Sequence, residues 1–334
     1  MIKIAVDCIG GDHSPGANVE GAVSALKKFE DITIVLYGDE NEIQKCLKDV
    51  DYPKDRLEIV NAPEAVGGND KPIDAIRMKQ NSSMIKAVRD MRENDEIKAF
   101  VSCGATGVLV GTSILRIGRR EGVRRPPFCP VLPTMNGKIV GVCDSGANIE
   151  TTPEQLKQYA HLGSEYLRNV YGVENPRVAL LNVGTEEEKG DDLRRAAFGL
   201  LKDDKEINFV GNMESRDLLS GKYDLVVCDG FSGNVLIKST EGACLEMLKM
   251  LKKDINSSFL NKIGALFMLK MFKKEKKFMD YRNYGGSVLL GLEKVIVKGH
   301  GSSNGTAVEK CIEQAYKMAK QFKKTTGEKL CLKK

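Results

Sequence analysis

The sequence predicts an α/β fold built on a mostly parallel sheet, and three observations carry that prediction. Short β-branched runs alternate with longer helical patterns, glycines recur at the turns between them, and one place in the chain carries a hairpin signal. In order, "IKIAVD" precedes a helical pattern over 17–29, "ITIVLYG" one over 40–48, and "KAFVSCG" one over 106–120. "FCPVLPTMNGKIVGVCDSG" then interrupts the alternation, because Asn136-Gly137 between two apolar runs predicts an antiparallel hairpin near 128–144. Thr151, Thr152 and Pro153 start a helix that runs to about Val170. "RVALLNVG" followed by 190–202 and "DLVVCDG" followed by 234–252 resume the rhythm, and a last helix starts near Thr306. No repeat or long linker divides the chain, so 1–334 reads as a single unit, with a cleft between two lobes as one arrangement it allows.

Bulk properties narrow the class. A chain of 334 residues, 42% hydrophobic and 29% charged, can bury a large core and has the balance of a soluble globular protein. The nine cysteines contain no C-x-x-C pair, which argues against a zinc site and predicts reduced, mostly buried thiols. The first apolar run meets Asp7 almost at once, leaving no apolar region for a secretion signal, so a cytoplasmic protein is expected. No apolar run approaches the roughly 20 residues of a spanning helix. A net charge of +5 without aromatic-basic interleaving gives no argument for nucleic acid.

Five glycine loops sit where a parallel sheet presents helix N-termini: "GGDHSP" (10–15), "GATG" (104–107), "GTEEEKG" (184–190), "DGFSGN" (229–234) and "GHGSSNG" (299–305). Any α/β protein has glycine at one such turn. Five that also carry His, Lys, Asp and Asn point to a small-anion site. Neither G-x-G-x-x-G nor G-x-x-x-x-G-K-[ST] occurs, which disfavours a dinucleotide or nucleoside triphosphate. His13 beside Asp12, and His300 between two glycines, are candidates for proton transfer or anion contact, whereas His161 inside a helix reads as structural. Asp229 closes an apolar strand at the ligand edge and would act there or cap the following helix. Lys189 would meet an anion or neutralise Glu186 to Glu188.

Taken in order, "AVDCIGGDHSP", "RPPFCPVLPT", "DSGANIE", "NPRVALLNVGTEEEKG", "INFVGNMESRD", "DLVVCDGFSGNVLIKSTEG" and "MDYRNYGGSVLLGL" with "HGSSN" resemble the bacterial phosphate acyltransferases of phospholipid synthesis, over nearly the whole chain. The resemblance implies transfer of a long-chain acyl group from acyl carrier protein to inorganic phosphate, giving acyl phosphate. It also implies a three-layer α/β/α fold akin to phosphotransacetylases and isocitrate-type dehydrogenases, a homodimer, and no cofactor or metal. A membrane glycerol-3-phosphate acyltransferase would use the product. Two departures stand out: Cys8 and Ile9 replace a small residue and methionine, and Ala105 replaces an asparagine.

On that reading the protein holds phosphate, stabilises the tetrahedral oxyanion and assists thiolate departure. Asp229, His13 and Lys189 are the expected catalytic residues, with Gly11, Asp12, Asn212, Gly233, Asn234, Lys238, His300, Ser302 and Ser303 binding phosphate or substrate. "RIGRREGVRR" offers Arg116, Arg119, Arg120, Arg124 and Arg125 to the acidic carrier protein. Residues 257–281 form an amphipathic helical excursion, in which Phe259, Ile263, Leu266, Phe267 and Leu269, flanked by lysines such as Lys262, Lys270, Lys273, Lys274, Lys276 and Lys277, suit an anionic membrane surface or a dimer partner. The rival classes are a nicotinamide dehydrogenase on a related fold, a non-catalytic carrier-protein or lipid-binding scaffold, and a cysteine-nucleophile enzyme using Cys103, Cys143 or Cys228.

Overall fold

The computed structural model describes residues 1–67, 70–279 and 285–325, with side chains omitted at 273–279 and 322–325. Two sheets form, where the sequence predicts a single mostly parallel one. In the first, β1 (Ile2–Asp7), β2 (Ile32–Gly38), β3 (Leu57–Asn61), β4 (Ile97–Ser102) and β12 (Val295–Lys298) run parallel, and β11 (Ser287–Leu289) pairs antiparallel with both β12 and β5 (Phe128–Cys129). Their order is β3-β2-β1-β4-β12-β11-β5. In the second, β7 (Ile139–Cys143), β10 (Leu225–Val227), β8 (Val178–Asn182) and β9 (Phe209–Glu214) are parallel, with β6 (Val131–Pro133) antiparallel on the β7 edge.

Period-two alternation sets the layers. Ile4 and Val6 of β1 pack with α1 (Gly16–Lys28) and α10 (Gly305–Thr325), while Ala5 faces α3 (Pro72–Met78), α4 (Ser83–Glu93) and α5 (Thr106–Arg116). The second sheet repeats the scheme. Leu180 and Val227 face α6 (Pro153–Tyr171) and α7 (Asp192–Lys202), while Ala179 and Val226 face the start of α8 (Gly230–Asn256). Helices therefore cover both faces of each sheet, giving the three-layer α/β/α architecture. One apolar cluster, running from Ile4 through Val308 of α10 and Tyr166 of α6 to Leu180, spans both sheets.

The hairpin forms as predicted, with β6 and β7 flanking Asn136 and Gly137, and the Thr152 helix start is a complete capping box with Gln155. Several boundaries differ. The helix expected over 106–120 ends at Arg116, because the chain then reverses through Gly118 and Gly122, both with positive φ. α8 starts at Gly230, not 234, because Asp229 caps it, and β3, α3, α4, β9, β11 and β12 were not anticipated.

Beyond Ile237, α8 buries nothing further, and it pairs with α9 (Phe259–Met279), which falls on the predicted amphipathic excursion. Residues 280 and 281 of that excursion, and Cys331, lie outside the described residues, as do the side chains of Lys273, Lys274, Lys276 and Lys277. Among the described residues all cysteines are free thiols and six of them are buried. No helix there is long and apolar enough to cross a membrane.

Candidate active site

The carboxyl ends of β1, β4 and β12 lie side by side, since Val6 pairs with Val101 and Ser102 pairs with Lys298. The Asp7 carboxylate is buried there and accepts from the Ile9 amide at 3.0 Å, the Gly10 amide at 3.1 Å, Ser83 Oγ at 2.6 Å and Ser102 Oγ at 2.7 Å. Asp7 thus braces the first glycine turn. A Cβ on Gly10 would come within 2.6 Å of the Gly104 amide nitrogen, so only glycine lets the loops after β1 and β4 close on each other. The Asp12 amide donates to the Gly301 carbonyl at 2.8 Å, which ties in the loop after β12. Three of the glycine loops therefore meet at one rim.

That rim collects Gly11, Asp12, His300, Ser302 and Ser303. His300 Nδ1 lies 3.0 Å from Ser302 Oγ. Burial, then the charges of Lys298 and Lys238, hold the His300 imidazole below its ordinary pKa, against the opposing pull of Asp12. Lys238 belongs to α8, and its charge acts on His300 across from the second sheet. Ser303 is buried beside the Cys103 thiol. Ala105, at the N-cap of α5, makes no side-chain capping hydrogen bond to the first-turn amides of that helix. His13 is exposed, and its carbonyl accepts the Ala17 amide as α1 begins.

At the second sheet the strand ends are closed from within. Asp144, fully buried, accepts from the amides of Phe128, Gly146, Ala147 and Asn148 and from Asn148 Nδ2, at 2.7–3.1 Å. Burial raises its pKa, and those donors only partly oppose the rise. A Cβ on Gly233 would sit 1.9 Å from the Asp144 carbonyl oxygen, so Gly233 lets α8 pack on the "DSGANIE" loop. Asp229 caps α8 through the Ser232 amide and hydroxyl, both at 2.8 Å, and pairs with Arg194. Burial works to raise the Asp229 pKa, but Ser232 and Arg194 outweigh it and keep the carboxylate ionised. Asn234 lies against Gly146. Asn212 Nδ2 donates to the Glu186 carbonyl at 2.7 Å and so supports the 184–190 loop, while its buried Oδ1 has no partner among the described residues. Lys189, exposed on that loop, lays its stem over Gly184.

Sequence reasoning passed over Lys298, Asp7, Asp144 and Arg194. The rule that singles out Asp229, a polar residue closing an apolar strand before glycine, applies equally to Lys298 in "VIVKG". Arg194 had no such signal, because its partner lies across two elements. The arginine cluster divides. Arg120 forms a two-point pair with Glu165 at 3.1 and 3.2 Å, and Arg116 donates to Gln80 at 3.0 Å, whereas Arg119, Arg124 and Arg125 are exposed. His161 pairs with Asp204 at 2.8 Å, in keeping with a structural role. On α9, Phe259, Leu266 and Phe267 are 77%, 63% and 87% exposed, and Ile263 and Leu269 are also exposed.

A family model described as "Fatty acid synthesis protein" matches residues 2–324. The phosphate acyltransferase of Brevibacillus brevis is 45% identical over 320 residues, covering 96% of this chain and 94% of its own. That of Clostridium perfringens strain SM101 is 43% identical over 316 residues, covering 95% and 93%. Among solved structures, a phosphotransacetylase from Streptococcus pyogenes superposes with a TM-score of 0.61 at 16% identity, covering 96% of this chain and 94% of that one. A branched-chain phosphotransacylase from Enterococcus faecalis gives 0.59 at 14% identity, covering 96% and 99%. At such low identity these two structures speak to fold alone.

Proposed function

The chain belongs to the fatty acid synthesis protein family as a phosphate acyltransferase, and from that premise we propose that it moves a long-chain acyl group from acyl carrier protein to inorganic phosphate. The observation that carries this reading is the meeting of the loops after β1, β4 and β12 beside His300 and Lys238, with the uncapped α5 N-terminus at the same rim. Such a rim suits a dianion and needs no large pocket.

In the reaction a phosphate oxygen attacks the thioester carbonyl, the C–S bond breaks, and the proton of hydrogen phosphate ends on the departing thiolate. Loop amides with Lys238, Lys189, Ser302 and Ser303 hold the phosphate, and Asn234 and Asn212 support the oxyanion. His13 passes the proton to the thiolate. Asp229, kept ionised by its partners, holds Arg194 and the first turn of α8 against the reacting group. The product acyl phosphate is suited to acylation of glycerol 3-phosphate by a membrane acyltransferase.

Exposed Arg119, Arg124 and Arg125, backed by Arg116 and Arg120, form the docking patch for the acidic carrier protein. The α8–α9 hairpin lies on an anionic membrane through Phe259, Ile263, Leu266, Phe267 and Leu269, making a cytoplasmic enzyme peripherally membrane-associated. Burying each such side chain contributes about 1.5–3 kcal/mol, an incentive for a partner surface. The same face serves a homodimer where a second copy covers part of it.

Purified protein given palmitoyl carrier protein with and without phosphate tests the central reading. Acyl phosphate trapped by hydroxylamine only in the presence of phosphate is the expected result, and its absence ends the proposal. Liposome flotation of Phe267→Asp and Leu269→Asp tests the hairpin: both are expected to lose anionic vesicles, and undiminished binding removes the membrane role.

A further inference from the structure

We propose that Lys298 is the positioning residue that holds the glycine loops after β4 and β12 around a common anion, through its contacts to the carbonyls of Cys103 and Gly299. The identity of the anion as phosphate rests on the function proposed above. Lys298 closes β12, and its partner across the sheet is Ser102, the last residue of β4. Its Nζ donates to the Cys103 carbonyl at 3.4 Å and to the Gly299 carbonyl. One ammonium therefore fixes the orientation of peptides 103–104 and 299–300, from which both loops depart.

The surroundings leave little slack. A Cβ on Gly299 would lie 2.5 Å from Cys103 Sγ and 3.3 Å from Cys311 Sγ, so the two strand ends and α10 are already in contact around this lysine. Around the ammonium stand the thiols of Cys103 and Cys311 and the carboxylates of Asp7 and Asp12. Burial lowers its pKa, and those groups oppose the fall. His300, two residues on, is faced by Lys298, by Lys238 from α8, by Asp12 from the loop after β1 and by Ser302 Oγ. Lys298 is thus both a mechanical tie between loops and one of two cations that, after burial, push the His300 pKa down.

The test compares Lys298→Met with Lys298→Arg. Loosening the tie in Lys298→Met is expected to raise the KM for phosphate on the order of 10²-fold, with a smaller change in kcat, because both ground and transition states lose the cradle. Lys298→Arg, which keeps the charge, is expected to recover much of the loss. Proton NMR of the three histidines, with His300 assigned from a His300→Asn variant, supplies a readout that a merely structural role would not move. The His300 midpoint rises in Lys298→Met and stays near wild type in Lys298→Arg. A folded Lys298→Met with unchanged phosphate KM, or with an unmoved His300 midpoint, overturns the proposal. Should Lys298→Met not fold, Lys298→Gln takes its place under the same criteria. Wild-type protein that makes no acyl phosphate would sink the proposed function instead, while the His300 titration would still decide the role of Lys298.

Discussion

At the rim of the first sheet Lys298, Lys238 and His300 lie close enough to interact, whereas at the rim of the second sheet Asp144 and Asp229 are each enclosed by donors. The parts are alike: parallel strands, glycine turns, helix N-termini. The charges of Lys298, Lys238 and Asp12 all act on His300, a mixed-sign cluster in which the proposed function places the anion. Enclosing a carboxylate in amides and an arginine makes a rigid joint, so the second rim is arranged to hold α8 in place. What differs is that the first rim gathers charges from several loops and α8, and the second locks one helix terminus.

The largest expected effects separate these roles. His13→Ala is expected to lower turnover on the order of 10²–10⁴-fold with unchanged stability, if proton delivery to the thiolate runs through that ring. Asp229→Ala is expected to lower turnover to a similar degree and also to lose about 1–3 kcal/mol, because it uncaps α8 and takes from Arg194 one of its two carboxylate partners. Asp229→Asn, which can still accept from the Ser232 amide, divides the two. Steady-state kinetics beside urea melts decide whether Asp229 is chemical or only a joint.

Asp144→Ala comes next in size. It removes the acceptor of five donors and is expected to cost at least about 3 kcal/mol in urea unfolding. A small cost would make the enclosed rim far less rigid than its hydrogen bonds imply.

The acid limb sharpens the comparison with a joint remote from both rims. Burial works to raise the Glu313 carboxyl, but Lys28, Lys310 and Lys317 outweigh it and hold the group at about 2, below the ordinary 4.5. A depressed folded-state pKa contributes stability present above the ordinary value and lost as pH falls from about 4.5 towards about 2. Glu313→Gln should therefore flatten that limb and, after solvent screening, cost about 1 kcal/mol at neutral pH. Thermal melts between pH 2 and 7 measure it, and an unchanged acid limb would show that the α1–α10 seam does not depend on this pair.

Smallest is the surface term. Reversing Arg119 and Arg124 to Glu should raise the KM for carrier-bound acyl chains and weaken its salt dependence, because exposed charges act through a screened field. An unchanged KM would place carrier docking elsewhere.

How far the sequence reached depends on the range of the signal. The hairpin at Asn136-Gly137, the Thr152 capping box and the strand-then-glycine turns are written within a few residues, and each formed where expected. Asp229 was legible as a strand-end carboxylate, with capping foreseen as one of its two roles, but Arg194 was not, since 35 residues separate that pair. Lys298 carried the same strand-end signal as Asp229, but its tie to the carbonyl of Cys103, 195 residues earlier, was not legible.

The sequence by itself determined the succession of strands and helices, the places where only glycine fits, and the apolar face of α9, because local backbone preference and side-chain period are properties of neighbouring residues. Tertiary structure alone decided that the chain forms two sheets, that β12 returns to lie against β4, and which glycine loops meet. Those outcomes follow from burying both faces of each sheet at once, a condition set by residues far apart in the chain.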